Sequence, residues 1–195
     1  RNNTAVGKSA LLANTTGDLN VAVGRETMLS NTTGSENSAV GRNALRNNTT
    51  GDYNTSMGAL SGHNNTTGSN NASLGYQALY TNTTGGANIG IGRGALYANT
   101  TANTAVGRLA LTTNTTGTKN TAVGAGALDA NTTADFNTAV GYDALGANTT
   151  GENNVAVGEA CLDANTTGGD NTSVGVGALG ANTTASNNTA FGRAA

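Results

Sequence analysis

A 17-residue period runs through almost the whole chain, and no other feature limits its fold as strongly. The unit reads N-T-A-V-G-x-x-A-L-x-A-N-T-T-G-x-x, and its positions are called slots 1 to 17 below. Units begin at Asn3, Asn20, Asn37, Asn54, Asn71, Asn88, Asn103, Asn120, Asn137, Asn154, Asn171 and Asn188. Eleven are full and the last stops at Ala195. Slot 1 is Asn and slot 5 is Gly in all twelve, and Asn-Thr-Thr fills slots 12 to 14 of all eleven full units. A unit this short buries no core alone, so units must stack on one another. The organisation expected is one continuous array over residues 1–195, an excerpt of a longer fibre.

Helices are the wrong stacking element. Gly and Asn recur in each unit, and both are poor in helix interiors. Slots 2 to 4, T-A-V, read as a short strand with slots 2 and 4 on one face and slot 3 on the other. Slot 3 is always Ala, Ser or Gly, so its face must meet something close. Slots 8 and 9, usually Ala-Leu, read as a second strand, with the slot 5 Gly and the N-T-T-G run as corners. The fold class expected is all-β, a parallel β-solenoid of 17-residue coils. At about 4.8 Å per coil, twelve coils make a rod of roughly 55 Å. Slot 1 residues such as Asn3, Asn20, Asn103 and Asn137 would stack into an amide ladder. Gly7, Gly24, Gly107 and Gly141 would supply a backbone shape that a Cβ forbids. Two units are irregular. From Asn54 the Ala59-Leu60 pair reads as two residues early, and the unit from Asn88 is two residues short. Even slips keep a strand's faces, which favours strands over loops.

Ala, Asn, Gly and Thr make up 125 of the 195 residues, and aromatics are 4%. That leaves two sizeable apolar side chains per coil, at slots 4 and 9, too few to balance the ordering of each coil's backbone. A second buried face at slot 3, formed against neighbouring chains, would supply the rest, and the expectation is a homo-oligomer, a trimer. The alternative is a single-chain solenoid with slot 3 packed internally. A net charge of −2 gives no case for nucleic acid, and no apolar run is long enough for a membrane helix.

Units such as Asn103-Thr104-Ala105-Val106-Gly107 resemble the head repeats of trimeric autotransporter adhesins, whose core reads Asn-Ser-Val-Ala-Ile-Gly. They are also similar to repeat shafts of some phage tail fibres and related surface proteins. The resemblance covers nearly the whole chain. It implies a left-handed parallel β-roll of three chains, outside the cell or on a virion surface. The family unit is shorter, and the Asn-Thr-Thr segment is no part of its usual core.

Every full unit carries a sequon for N-linked sugar, at Asn14, Asn31, Asn48, Asn65, Asn82, Asn99, Asn114, Asn131, Asn148, Asn165 and Asn182. If the segment is extended, slots 12 and 14 point the same way. Two readings stand side by side: a column of sugars, or a corner in which stacked amides bond each other. The function expected is a structural fibre segment. An adhesin head that binds glycans is the alternative, and an ice-binding solenoid the third. Adjacent Thr residues on a strand face opposite sides, so the Asn-Thr-Thr segment presents one hydroxyl row to ice. No catalytic, metal or cofactor set is legible, and an enzyme is not expected. His63 reads as a turn residue and Cys161 as a small buried thiol in an Ala slot. Slot 6 carries Lys8, Arg25, Arg42, Arg93, Arg108 and Arg193, and slots 16 and 17 carry Asp18, Glu36, Asp52, Asp135, Glu152 and Asp170. These rows read as a solvated surface whose pairs are each worth about 0–1 kcal/mol.

Overall fold

Each unit forms one coil of a parallel β-solenoid in a computed structural model that describes residues 2–98 and 101–195. The strands are β1 (Thr4–Val6), β2 (Val21–Val23), β3 (Ser38–Val40), β4 (Thr55–Met57), β5 (Ala72–Leu74), β6 (Ile89–Ile91), β7 (Thr104–Val106), β8 (Thr121–Val123), β9 (Thr138–Val140), β10 (Val155–Val157), β11 (Thr172–Val174) and β12 (Thr189–Phe191). They make one sheet in chain order, and every pair is parallel and in register. Register survives the short unit, where Ile89 pairs with Thr104.

The strand faces separate as the alternation predicts, but the face that meets the core is slot 3. Ala22, Ala39, Ala105, Ala122, Ala139 and Ala156 are fully buried, while Val40, Met57 and Ile91 of slot 4 are exposed. A Cβ on Gly90, in slot 3, would lie 3.3 Å from Cγ of Leu79 and 3.6 Å from Cβ of Leu96. The sheet thus sits directly on the slot 9 leucines, with room for only a methyl or hydroxymethyl group between. Slot 3 packs inside its own solenoid, which corrects its expected place between chains. Slot 4 is likewise not a core slot.

The second expected strand is absent from the described coils. Ala44 and Leu45, in slots 8 and 9, are both buried, whereas neighbours on a strand point to opposite sides. Left-handed backbone resolves the conflict. Slots 7, 9 and 17 have positive φ in coil after coil, as at Asn43 (61°), Leu45 (47°) and Tyr53 (57°). The segment is a pair of tight turns: the Ala44 N–H donates to Gly41 O, and the Asn48 N–H donates to Leu45 O. Left-handed backbone at a leucine is costly, about 1–2 kcal/mol. Full burial of the leucine side chain, about 1.5–3 kcal/mol, offsets it.

Slot 5 needs glycine for two reasons. Gly41 has φ +137°, and a Cβ there would lie 2.6 Å from the carbonyl oxygen of Gly58 in the next coil.

The unit from Asn54 is in register, which corrects the displaced Ala-Leu pair. Ala59 and Leu60 fill slots 6 and 7, with Leu60 in the left-handed conformation of slot 7 (φ 60°). Ser61 and Gly62 fill slots 8 and 9, and the Gly62 N–H donates to Ala78 O as the Leu45 N–H does to Ser61 O. The apolar core divides at this coil into one cluster ending at Leu45 and another starting at Leu79. Three serines fill the gap. Ser56 and Ser73 share a hydrogen bond of 2.6 Å, and the Ser61 hydroxyl donates to Ser73 O at 2.7 Å.

Two outcomes follow for stability. Gly41→Ala should cost on the order of 3 kcal/mol in chemical unfolding, since strain and backbone collision add. Joining the two clusters with Ser56→Ala, Ser61→Ala, Ser73→Ala and Gly62→Leu together should raise the melting temperature, with about 2 kcal/mol from the new leucine. Gly62→Leu alone should lower it, because its Cβ would meet the Ser56 hydroxyl at 2.8 Å.

Candidate functional site

An asparagine side chain carries a donor and an acceptor, so a stack of them can pass hydrogen bonds along a solenoid. Slot 1 does this at each coil boundary. Oδ1 of Asn20 accepts the backbone N–H of Asn37 at 3.0 Å, and Oδ1 of Asn137 accepts that of Asn154 at 2.9 Å. Asn3 and Asn103 do the same for Asn20 and Asn120. The amide nitrogen turns across the coil: Nδ2 of Asn20 donates to Gly34 O at 2.8 Å, and Nδ2 of Asn137 to Gly151 O at 2.9 Å. Glycines Gly7, Gly24, Gly107 and Gly141 follow these strands with φ between +129° and +143°.

Slot 12 forms a second column. Nδ2 of Asn31 donates to Oδ1 of Asn14 and to Gly34 O, and Nδ2 of Asn48 donates to Oδ1 of Asn31 and to Gly51 O. Gly34 O therefore holds amides from slots 1 and 12 of one coil, at 2.8 and 2.9 Å, and ties its two edges together. Asn31, Asn48, Asn65, Asn82, Asn114, Asn131, Asn148 and Asn165 are buried, and Asn14 and Asn182 at the ends are half-buried. Asn99 lies outside the described residues. Nδ2, the atom that an N-linked sugar would occupy, faces inward in this row.

The two threonines that follow differ from each other. In slot 13 the hydroxyl donates to the slot 13 carbonyl of the next coil, as from Thr32 to Thr49 O and from Thr49 to Thr66 O. In slot 14 every described threonine is exposed. Slots 12 and 14 thus point in different directions, because the segment bends rather than running as a strand. Slot 16 has a backbone role: Asp52 and Asp135 accept the N–H groups of Ser35 and Thr118 from the coil before. The acidic row is partly a set of backbone acceptors. The described ion pairs run instead from Glu26 to Arg25 and Arg46, at 2.9 and 3.1 Å. Hydrogen bonds from Arg25 and then Arg46 hold the Glu26 carboxyl below its usual range.

Slot 10 brings three ring residues together on successive coils. His63, Tyr80 and Tyr97 stack on successive coils, with ring centroids 5.1 and 5.2 Å apart. His63 is half-buried in this stack rather than solvated alone. Their common slot was the available signal. Asp129 and Asp163, also in slot 10, flank Gly146 and with Asp143 line a shallow hollow where Gly146 has no side chain. Burial, then repulsion from Asp143, pushes the Asp129 carboxyl above its usual range. These carboxylates do not converge as metal ligands, and no His, Cys, Asp or Glu group among the described residues does. Cys161 is buried, with its thiol 3.0 Å from the Ser173 hydroxyl. No helix among the described residues is long and apolar enough to cross a membrane.

Comparison with known protein families, with curated proteins and with solved structures finds no match to this chain.

The amide columns and the aspartate hollow each generate a measurable outcome. Asn137→Ala strands the buried Asn154 N–H, while Gly151 O keeps the amide of Asn148, and should cost about 1–3 kcal/mol. Asn137→Asp should be no rescue: its carboxylate can accept the Asn154 N–H, but it would be a buried, unpaired charge set against Gly151 O. At Asp129 the raised pKa favours the protonated form in the folded coil, so its contribution to stability rises as pH falls from neutral towards 3.8. Asp129→Asn should flatten that part of a melting-temperature profile, and an unchanged slope would refute the assignment.

Proposed function

We propose that this chain is a structural segment of an extracellular or virion-surface fibre, a rod whose work is to extend and display. The observation that carries this reading is the uninterrupted in-register sheet with two amide columns beside it. Neighbouring coils bond to one another along the whole sheet, so length grows with unit number. Mechanical continuity is the property such a ladder provides.

The partner in this reading is a second copy of the chain, and trimeric, left-handed assembly is the form implied by the resemblance to adhesin heads and tail-fibre shafts. The outer face of the sheet is the surface best suited to it. Val40, Met57, Ile91, Val123 and Phe191 lie on it between 36% and 68% exposed, in one line along the rod. At about 4.8 Å per strand, the nine steps from Val40 to Phe191 span about 43 Å. A contiguous apolar stripe of that length is characteristic of association surfaces. The Asn-Thr-Thr asparagines read best as part of the scaffold, since their amides are buried and bonded.

A glycan-binding adhesin remains the second reading, favoured by the half-buried His63–Tyr80–Tyr97 stack, an aromatic ladder whose ring edges line up along the rod for a sugar to contact. Ice binding has less support. On the outer sheet face the slot 2 threonines are interrupted by Val21, Ser38, Ala72, Ile89 and Val155, which breaks a regular hydroxyl array.

Sedimentation of the purified segment tests the assembly. The expected mass is a multiple of 19.1 kDa, falling to a single folded chain in Val140→Glu with Val157→Glu. A single-chain mass without substitution would sink the oligomer. Ala139→Leu should instead lower stability by about 1–3 kcal/mol through overpacking of the coil's own core.

A further inference from the structure

We propose that the slot 14 threonines are acceptors for O-linked sugars, one per coil, in a single column along the rod. The inference adds to the fibre reading and does not rest on it. Its starting point is a residue whose constancy the fold leaves unexplained. Thr fills slot 14 in all eleven full units, yet its side chain is exposed wherever it is described. Elsewhere on the surface exposure goes with drift: slot 6 holds Arg42, Tyr76, Tyr142 and Glu159, all exposed. Slot 13 is constant for a reason that is visible, because its hydroxyl donates to the next coil. The hydroxyls of Thr33, Thr50, Thr67, Thr133, Thr150 and Thr167 have no hydrogen-bond partner among the described residues.

Shape does not explain the choice. Val has the same branching at Cβ and nearly the same size, but it never appears in slot 14. What Thr has and Val lacks is the hydroxyl, and the residues that carry it are exposed. The same edge also shows why the sugar goes on oxygen. The neighbouring asparagine Nδ2 is buried with two acceptors, so the solvent-facing nucleophile of the Asn-Thr-Thr segment is Thr Oγ1.

The chemistry is a glycosyl transfer from an activated sugar, a nucleoside diphosphate or lipid diphosphate donor, on a separate transferase. Thr Oγ1 attacks the anomeric carbon, the C1–O bond to the diphosphate breaks, and the diphosphate leaves with the bonding electrons. The hydroxyl proton passes to the transferase's base. A rise of about 4.8 Å per coil leaves space for the thickness of one sugar ring. The attached group is therefore a monosaccharide or a thin unbranched chain, stacked in register with its neighbours.

Mass spectrometry of the protein from its native cells tests this on the tryptic peptide 47–93, which contains Thr50, Thr67 and Thr84. Sugar-sized increments on those threonines are expected, lost on alkaline β-elimination and resistant to enzymes that remove N-linked sugars. An unmodified peptide, or sugar on Asn48 or Asn65, would overturn the proposal. Thr50→Val with Thr67→Val in the native host should remove two increments. In unmodified recombinant protein the same pair should leave the melting temperature unchanged. A fall of several degrees there would assign the hydroxyls to the fold and overturn the argument from constancy.

Discussion

A buried amide must find both a donor and an acceptor, and in a stack of identical coils it finds them in the coil beside it. That constraint organises the molecule. Asn37 donates its backbone and side-chain N–H groups to Oδ1 of Asn20, and its own Oδ1 accepts the backbone N–H of Asn54. Aspartate offers no donor and leucine neither group, so no other side chain of this size substitutes. The second column at slot 12 meets the first at one carbonyl in slot 15, as at Gly51. A coil is closed by that carbonyl and joined to its neighbours by the columns.

With amides holding the edges, the apolar interior can be thin. Its described parts are alanines of slots 3 and 8 and leucines of slot 9, split by a serine cluster at one coil. Small side chains draw the sheet onto the opposite turns, and the turns then need left-handed backbone to aim two adjacent residues inward. Local strain, small core residues and paired amides are one arrangement. The strain is tolerable because burial and hydrogen bonding over-determine each position. Twelve repetitions make it a rod with distinct sides: an apolar stripe outside the sheet, and a threonine row at the Asn-Thr-Thr edge.

Much of this was legible in the residues. The period of 17 gave the coil length, the T-A-V alternation placed a strand at slots 2 to 4, and invariant Asn and Gly marked a ladder and a corner. The Ala-Leu pair misled, because two apolar neighbours look like a strand when φ is unknown. The unit from Asn54 misled for a related reason: its Ala59-Leu60 matched the consensus by identity, while backbone register places Ser61-Gly62 there. At the Asn-Thr-Thr segment the motif could be read as a sequon or as a corner, and nothing in three letters says which side chain faces out.

Periodicity in the chain settled that the units stack, in which register, and which residue types repeat along the rod, since identical neighbours can pair only with equivalent positions. Direction was beyond it. Whether slot 3 or slot 4 meets the core, whether Asn48 or Thr50 meets solvent, and whether Leu45 sits on a strand or in a left-handed turn depend on how the coil closes. Closure joins residues 14 positions apart through a single carbonyl, as from Asn37 to Gly51, and that contact exists only once the chain has come around.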